Sequence, residues 1–168
     1  MKNLIFINGT MGVGKTTTAK ILLKLLPDCV MLDGDWCWYA DPFVVNDETK
    51  RMMYNNTAYL LNNFLECSAY GNVIFCWVMH LDSIIEDILS LIKNTNYILY
   101  KFTLMCAEDA LTARLERDIG DGIRENSVLD RALARIPYFS KMDTVKIDVS
   151  DITAEQAGYT IYNHIYPV

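Results

Sequence analysis

The chain has 168 residues, 52% of them apolar and 21% charged, with 21 acidic against 15 basic side chains and a net charge of −6. This excludes a disordered chain, and the length suits one domain with its own core. An acidic chain without a basic stripe excludes a general nucleic-acid binder, and five scattered cysteines without a C-x-x-C exclude a disulfide framework and a structural zinc.

Residues 3–8 (NLIFIN) form a short apolar run, the signal of a buried strand. The chain enters it directly after Met1 and Lys2 with no leader segment, and the later run VIFCWVM is too short to span a bilayer. The expectation is a soluble, cytoplasmic protein that does not bind membranes. Next comes GTMGVGKT, residues 9–16, which fits G-x-x-x-x-G-K-[ST] between a strand and a helix. Its glycines let backbone N–H groups turn inward around phosphate oxygens. Lys15 can follow the β- and γ-phosphates, Thr16 offers a hydroxyl to Mg²⁺, and the helix N-terminus adds its positive end. Gly9, Thr10, Met11, Gly12, Val13, Gly14, Lys15, Thr16 and Thr17 form the expected nucleotide-binding segment.

Residues 15–26 place Ile21, Leu22, Leu25 and Leu26 on one helical face, and Pro27 stops that helix. Residues 29–33 (CVMLD) read as a second strand, followed by DGDWCWY. Asp33 and Asp35, two apart, can face the same side. One can order the hydration shell of Mg²⁺ and the other can accept a proton from an attacking hydroxyl. Read alone, Asp-Gly is a common turn pair. The aromatics Trp36, Trp38 and Tyr39 suggest a flat or ring-shaped partner, with at least one of them packing as satellite core.

Residues 47–69 read as a long helix ended by Gly71. Arg51 on it is a candidate acceptor contact, although beside Lys50 it equally reads as a solvated face. Residues 72–79 (NVIFCWVM) are a strand covered on both faces, with His80 following as a further acceptor candidate or a simple strand cap. Residues 81–93 are an amphipathic helix, residues 97–105 a fourth strand, and residues 107–118 a helix with Glu108 and Asp109 in its first turn. The two-glycine segment DIGDGIRE breaks the pattern and suits a lid at about residues 118–126. Residues 127–136 are helical, residues 144–149 a fifth strand, and Thr153 with Gln156 makes a capping box for a last helix. The βαβ alternation predicts a parallel sheet with helices on both faces and ligands beyond the carboxyl ends of the strands.

GTMGVGKTT, the strand-end DGD, an arginine-bearing lid after the fourth strand and a late RIPY together resemble the small P-loop kinases, in particular the shikimate kinase, gluconate kinase and chloramphenicol phosphotransferase group. The resemblance implies a three-layer α/β/α fold with a five-stranded parallel sheet of order 2-3-1-4-5, and it implies ATP and Mg²⁺. It implies metal roles for Thr16 and Asp33, an adenine-packing role for Arg117, a γ-phosphate role for the lid residue Arg124, and an acceptor role for Arg135. The acceptor region departs from the group: residues 78–82 read VMHLD where shikimate kinases carry a glycine triplet.

The expected activity is ATP-dependent phosphorylation of a hydroxyl on a neutral or singly charged small molecule, by a monomer or homodimer. Lys15, Asp35 and Arg124 are its catalytic set. The alternative is a nucleotide-binding ATPase or switch acting on a protein partner. A GTPase would need an N-K-x-D motif, which the chain lacks.

Overall fold

The computed structural model describes residues 1–167. The first strand, β1 (Lys2–Gly9), lies at the middle of the sheet, paired in parallel with β3 (Asn72–Cys76) on one side and β4 (Tyr97–Met105) on the other. Strand β2 (Cys29–Asp33) adds outside β3, and β5 (Val145–Asp148) adds outside β4. The five strands, all parallel, run in the order β2-β3-β1-β4-β5, as expected from the sequence.

Alternation along β1 divides the core in two. Ile5 and Ile7 face α1 (Lys15–Leu25), α4 (Glu108–Gly120) and α6 (Ala154–Ile165). Leu4 and Phe6 face α2 (Asp47–Glu66) and α3 (Asp82–Ser90). Helix α5 (Val128–Lys141) serves both sides, giving Val128 and Ala132 to one cluster and Phe139 to the other. With helices on both faces, the central strands carry continuous apolar runs instead of an alternating pattern. Phe6 and Phe75, both fully buried, meet edge to face with ring centres 5.2 Å apart, a geometry worth about 1 kcal/mol beyond the area it buries. The capping box of Thr153 and Gln156 starts α6, and a second, Asn46 with Thr49, starts α2. Among the described residues no helix is long and apolar enough to cross a membrane.

The largest differences from the sequence reading lie at the ends of four elements. Strand β3 stops at Cys76 and not at 79, because after the bond from Trp77 N–H to Ile7 O the chain turns away from β1. Helix α2 ends at Glu66, with Cys67 N–H closing on Asn63 O, so Gly71 lies in the connection before β3 and does not end the helix. Helix α3 is shorter than residues 81–93 at both ends. Helix α5 continues through Pro137 to Lys141. Proline removes one ladder bond, and burial of Phe139 and Met142 in the turn beyond it offsets that loss.

Candidate active site

The carboxyl ends of β1, β2 and β3 bring the phosphate loop, the Asp33–Asp35 pair and the segment after Cys76 to one place. Asn8, buried in the last turn of β1, fixes that meeting point: its amide donates to Met79 O at 2.6 Å and its Oδ1 accepts from Gly9 N and Met79 N, both at 2.8 Å. Thr10 Oγ1 donates to Ala132 O at 2.8 Å, tying the loop to α5. Gly12 has φ +78°, and a Cβ there would lie 2.5 Å from Leu115 Cδ2, so the loop is packed directly on α4. Gly14 caps α1 without a side-chain acceptor, and no acidic residue occupies the first turn. The N–H groups of that turn therefore remain available to an anion.

Lys15 Nζ donates to Thr10 O at 2.8 Å. Desolvation pushes its pKa from 10.5 down to about 8, against the opposing pull of the Asp35 and Asp33 carboxylates. A bound polyphosphate would raise that pKa again. Near pH 8 about half the free protein carries a proton on Lys15 and nearly all of the complex does, so ATP binding should take up about half a proton. Affinity should then fall as pH rises above about 8. Calorimetry in buffers of different ionisation enthalpy measures the uptake, and its absence would separate Lys15 from the phosphates.

Asp33 is buried and doubly engaged: Oδ2 accepts from Thr16 Oγ1 at 2.7 Å and Oδ1 from Asp35 N at 3.0 Å. The second bond caps the 3-10 turn Gly34–Cys37 and sets the position of Asp35. Because the Thr16 hydroxyl spends its proton on Asp33, its lone pairs stay available to a cation. That donor set fits Mg²⁺, which needs few protein ligands beside phosphates and water. Among the described residues no three His, Cys, Asp or Glu side chains form a metal cage.

Asp35 Oδ1 accepts from Trp77 Nε1 at 3.2 Å. Its carboxyl is held above the usual range, first by desolvation and then by the nearby Asp33 charge, with Lys15 opposing. The indole of Trp77 also lies on Gly34, where a Cβ would fall 2.4 Å from Trp77 Cγ. Gly34→Ala should therefore displace the indole and free Asp35. The expected cost is about 1–3 kcal/mol of stability, read as a lower urea midpoint with an unchanged m-value. A midpoint equal to the wild type would show that the indole is not seated on Gly34.

From the other side α4 delivers Arg114, Arg117 and Asp118, and Arg124 follows its end. Arg114 donates to Val149 O and Ser150 O, which occupies its guanidinium in holding the start of the β5–α6 loop. Arg124 Nε donates to Asp118 Oδ2 at 2.9 Å. These groups enclose a cleft of about 320 Å³ lined by Lys15, Thr16, Thr17, Asp33, Asp35, Arg117 and Arg124 together with Met11, Gly12 and Gly14. Gly9, Thr10 and Val13 are buried behind the loop, where they shape its backbone.

The expected acceptor residues do not converge so tightly. His80 and Arg135 line a neighbouring pocket with Arg131 and Tyr138. Burial and the charge of Arg135 hold the His80 imidazole below its usual pKa, and its Nδ1 has no hydrogen-bond partner among the described residues. Arg135 reaches back to Met11 Sδ at 3.1 Å, which joins this pocket to the phosphate loop. Trp38 is half-buried against Phe43, with ring centres 4.6 Å apart, so it is the aromatic that packs as satellite core. Trp36 and Tyr39 are 60% and 99% exposed and do not line the cleft. Arg51 is exposed on α2, away from both pockets.

Sequence reasoning missed Trp77 and Asp118 as cleft residues. Trp77 was absorbed into the apolar run 72–79; its place at the carboxyl end of a parallel strand was the available signal. Asp118 lies four residues after Arg114 in the chain, yet it pairs with Arg124.

The profile of the AAA domain family matches residues 5–131. Among solved structures, the chain is similar to the tunicamycin resistance protein of Deinococcus radiodurans, with 19% identity, a TM-score of 0.72, and coverage of 100% of this chain and 98% of that one. It is similar to the shikimate kinase of Acinetobacter baumannii in complex with shikimate, with 18% identity, a TM-score of 0.65, and coverage of 98% and 93%. It is also similar to a gluconokinase of Sinorhizobium meliloti 1021, with 14% identity, a TM-score of 0.60, and coverage of 98% and 95%. At these identities the likeness establishes a shared P-loop kinase fold. No curated protein matches the chain in sequence.

Proposed function

The chain belongs to the AAA domain family, matched over residues 5–131, and from that premise we propose that it is an ATP-dependent small-molecule kinase that phosphorylates a hydroxyl group. The observation that carries this reading is the placement of Asp35 in one cleft with Lys15, Thr16 and Arg124. An ATPase needs a phosphate loop and a positioned water. A second carboxylate held by an indole N–H, at the side where an acceptor would enter, is the added equipment of a phosphotransferase.

In this mechanism the N–H groups of the phosphate loop and Lys15 hold the β- and γ-phosphates of ATP. Thr16, oriented by Asp33, would hold Mg²⁺, which when bound would neutralise charge on the phosphates. Asp35 Oδ1 stays on Trp77 while its second oxygen takes the proton of the acceptor hydroxyl. The acceptor oxygen bonds to the γ-phosphorus as the bond to the β,γ-bridging oxygen breaks, leaving ADP. Lys15 and Arg124 stabilise the negative charge on the transferring group. A carboxyl with a raised pKa is a better proton acceptor once ionised, which suits Asp35 to this role. Arg117, with Gly12, Thr17 and Thr153, lines a second recess beside the phosphate loop, and this supports an adenine site there.

For the acceptor, the reading places the reacting hydroxyl at Asp35 and the rest of the molecule toward His80 and Arg135. Arg51 stands away from that pocket and the Arg131 guanidinium there is engaged by Ser127, which leaves Arg135 to meet an acceptor charge and favours a neutral or singly charged acceptor over a doubly charged one. Trp36 and Tyr39, following Asp35 directly, offer apolar surface to a ring-bearing acceptor. The test is a screen of nucleosides, shikimate-like acids, sugars and antibiotics with ATP and Mg²⁺, reading ADP release above the water background. Release that depends on one acceptor class supports the kinase. Release indifferent to every acceptor would replace it with an ATPase.

A further inference from the structure

We infer that Asp118 is a positioning residue that holds Arg124 in the cleft and leaves both terminal nitrogens of its guanidinium for the γ-phosphate of ATP. The inference rests on the kinase reading and adds a residue to it. Asp118 carries a negative charge in a cleft built for a polyanion, which by itself lowers affinity, so its presence there needs a reason. Its Oδ2 accepts from Arg124 Nε at 2.9 Å, and the two side chains are 33% and 35% exposed. Its backbone carbonyl accepts from Ile123 N at 2.8 Å and from Arg124 N at 3.3 Å. One residue thus grips Arg124 by side chain and backbone.

The local chain is built for this return. Asp118 and Gly120 are still helical, and the segment read as a hinge is half helix. Asp121 N and Gly122 N close on Arg117 O and Ile119 O at the end of α4. Gly122, at φ +71°, then reverses the chain so that Arg124 comes back over its own helix. The geometry at the guanidinium decides between holding and blocking. Arginine has five donors in a fixed fork. Asp118 takes the one on Nε, and Nη1 and Nη2 have no hydrogen-bond partner among the described residues. Those are the nitrogens that grip phosphate oxygens in pairs. A carboxylate that competed with ATP would occupy them instead.

The experiment measures affinity for Mg–ADP and for the Mg complex of the non-hydrolysable imido analogue of ATP. The proteins are the wild type, Asp118→Asn, Asp118→Glu, Arg124→Ala and the double variant Asp118→Asn/Arg124→Ala, each with its melting temperature. The readout is the ratio of triphosphate to diphosphate affinity, which a general loss of structure would not change selectively. Asp118→Asn should lower that ratio about tenfold, as expected for one misplaced charge-assisted contact. Asp118→Glu should recover part of it. The double variant should be no worse than Arg124→Ala alone. A ratio in Asp118→Asn equal to or above the wild type would overturn the inference, as would losses that multiply in the double variant. Should Asp118→Asn fail to fold, Asp118→Glu carries the same comparison. Wild-type protein that bound neither nucleotide would overturn the kinase reading and this inference together, whereas a wild-type ratio unmatched by any effect at Asp118 would overturn the inference alone.

Discussion

Lys15→Met is expected to lower affinity for ATP–Mg²⁺ by about a hundredfold or more, while the protein becomes no less stable. The ammonium lies between phosphate-loop carbonyls and the Asp33–Asp35 pair, where water screens it poorly. Two charge-assisted contacts to phosphate oxygens, each about 1.5–3 kcal/mol, account for that factor. The stability half follows from the pKa near 8. In the folded protein Lys15 binds its proton more weakly than in the unfolded chain. Between about pH 8 and 10.5 the unfolded state holds more protons, so stability rises with pH through that window. Below it, keeping the ammonium charged in the empty cleft works against the fold. Methionine removes that penalty and the slope with it. Titration calorimetry gives the affinity, and urea unfolding at pH 7 and pH 9.5 gives the slope. Full affinity in Lys15→Met would remove the phosphate-loop assignment.

Asp35→Asn is expected to reduce turnover with the acceptor by about 10²–10⁴-fold, the range for loss of a general base. The KM for ATP should change little. An amide keeps the shape and can still accept from Trp77, so packing is preserved and the effect is chemical. The wild-type rate should fall as the pH drops through the raised pKa of Asp35, because the protonated carboxyl cannot take the hydroxyl proton. That acid limb should be missing from the variant. If Asp35→Asn kept full turnover, the base would have to be sought at Asp33. Asp33→Asn is the less clean substitution, because Asp33 accepts from both Thr16 and Asp35 N–H, and its loss would disturb metal and base together.

The phosphate loop was legible because its chemistry is local: eight consecutive residues carry the turn, the charge and the hydroxyl. Strands β2 and β4 match the ranges read from the sequence, 29–33 and 97–105, because both are apolar runs cut off by turn residues or polar helix starts. The pair Asp33 and Asp35 was legible through its spacing, and the structure gives the two different partners, Thr16 for Asp33 and Trp77 for Asp35. What the chain concealed depends on distant contacts. Trp77 reads as one more apolar residue until the end of β3 places it on Gly34, far earlier in the chain. Pro137 reads as a stop until Phe139 and Met142 find the core beyond it. The exposed aromatics Trp36 and Tyr39 show the reverse case: bulk beside a candidate base reads as a wall of the site, whereas both rings stand exposed and outside the lining of the cleft.

The central position of β1 has a consequence for how this protein comes into being. The first strand made has to wait for partners that begin at Asn72 and Tyr97. As the chain leaves the ribosome, the phosphate loop exists as sequence well before β1 has neighbours to hold its end in place. Pairing over such separations closes long loops before any sheet contact repays them, which makes folding slow relative to a helical bundle of similar size. Nucleotide capture therefore waits on β3 and β4, and the phosphate loop has no flanking strands until both have been made.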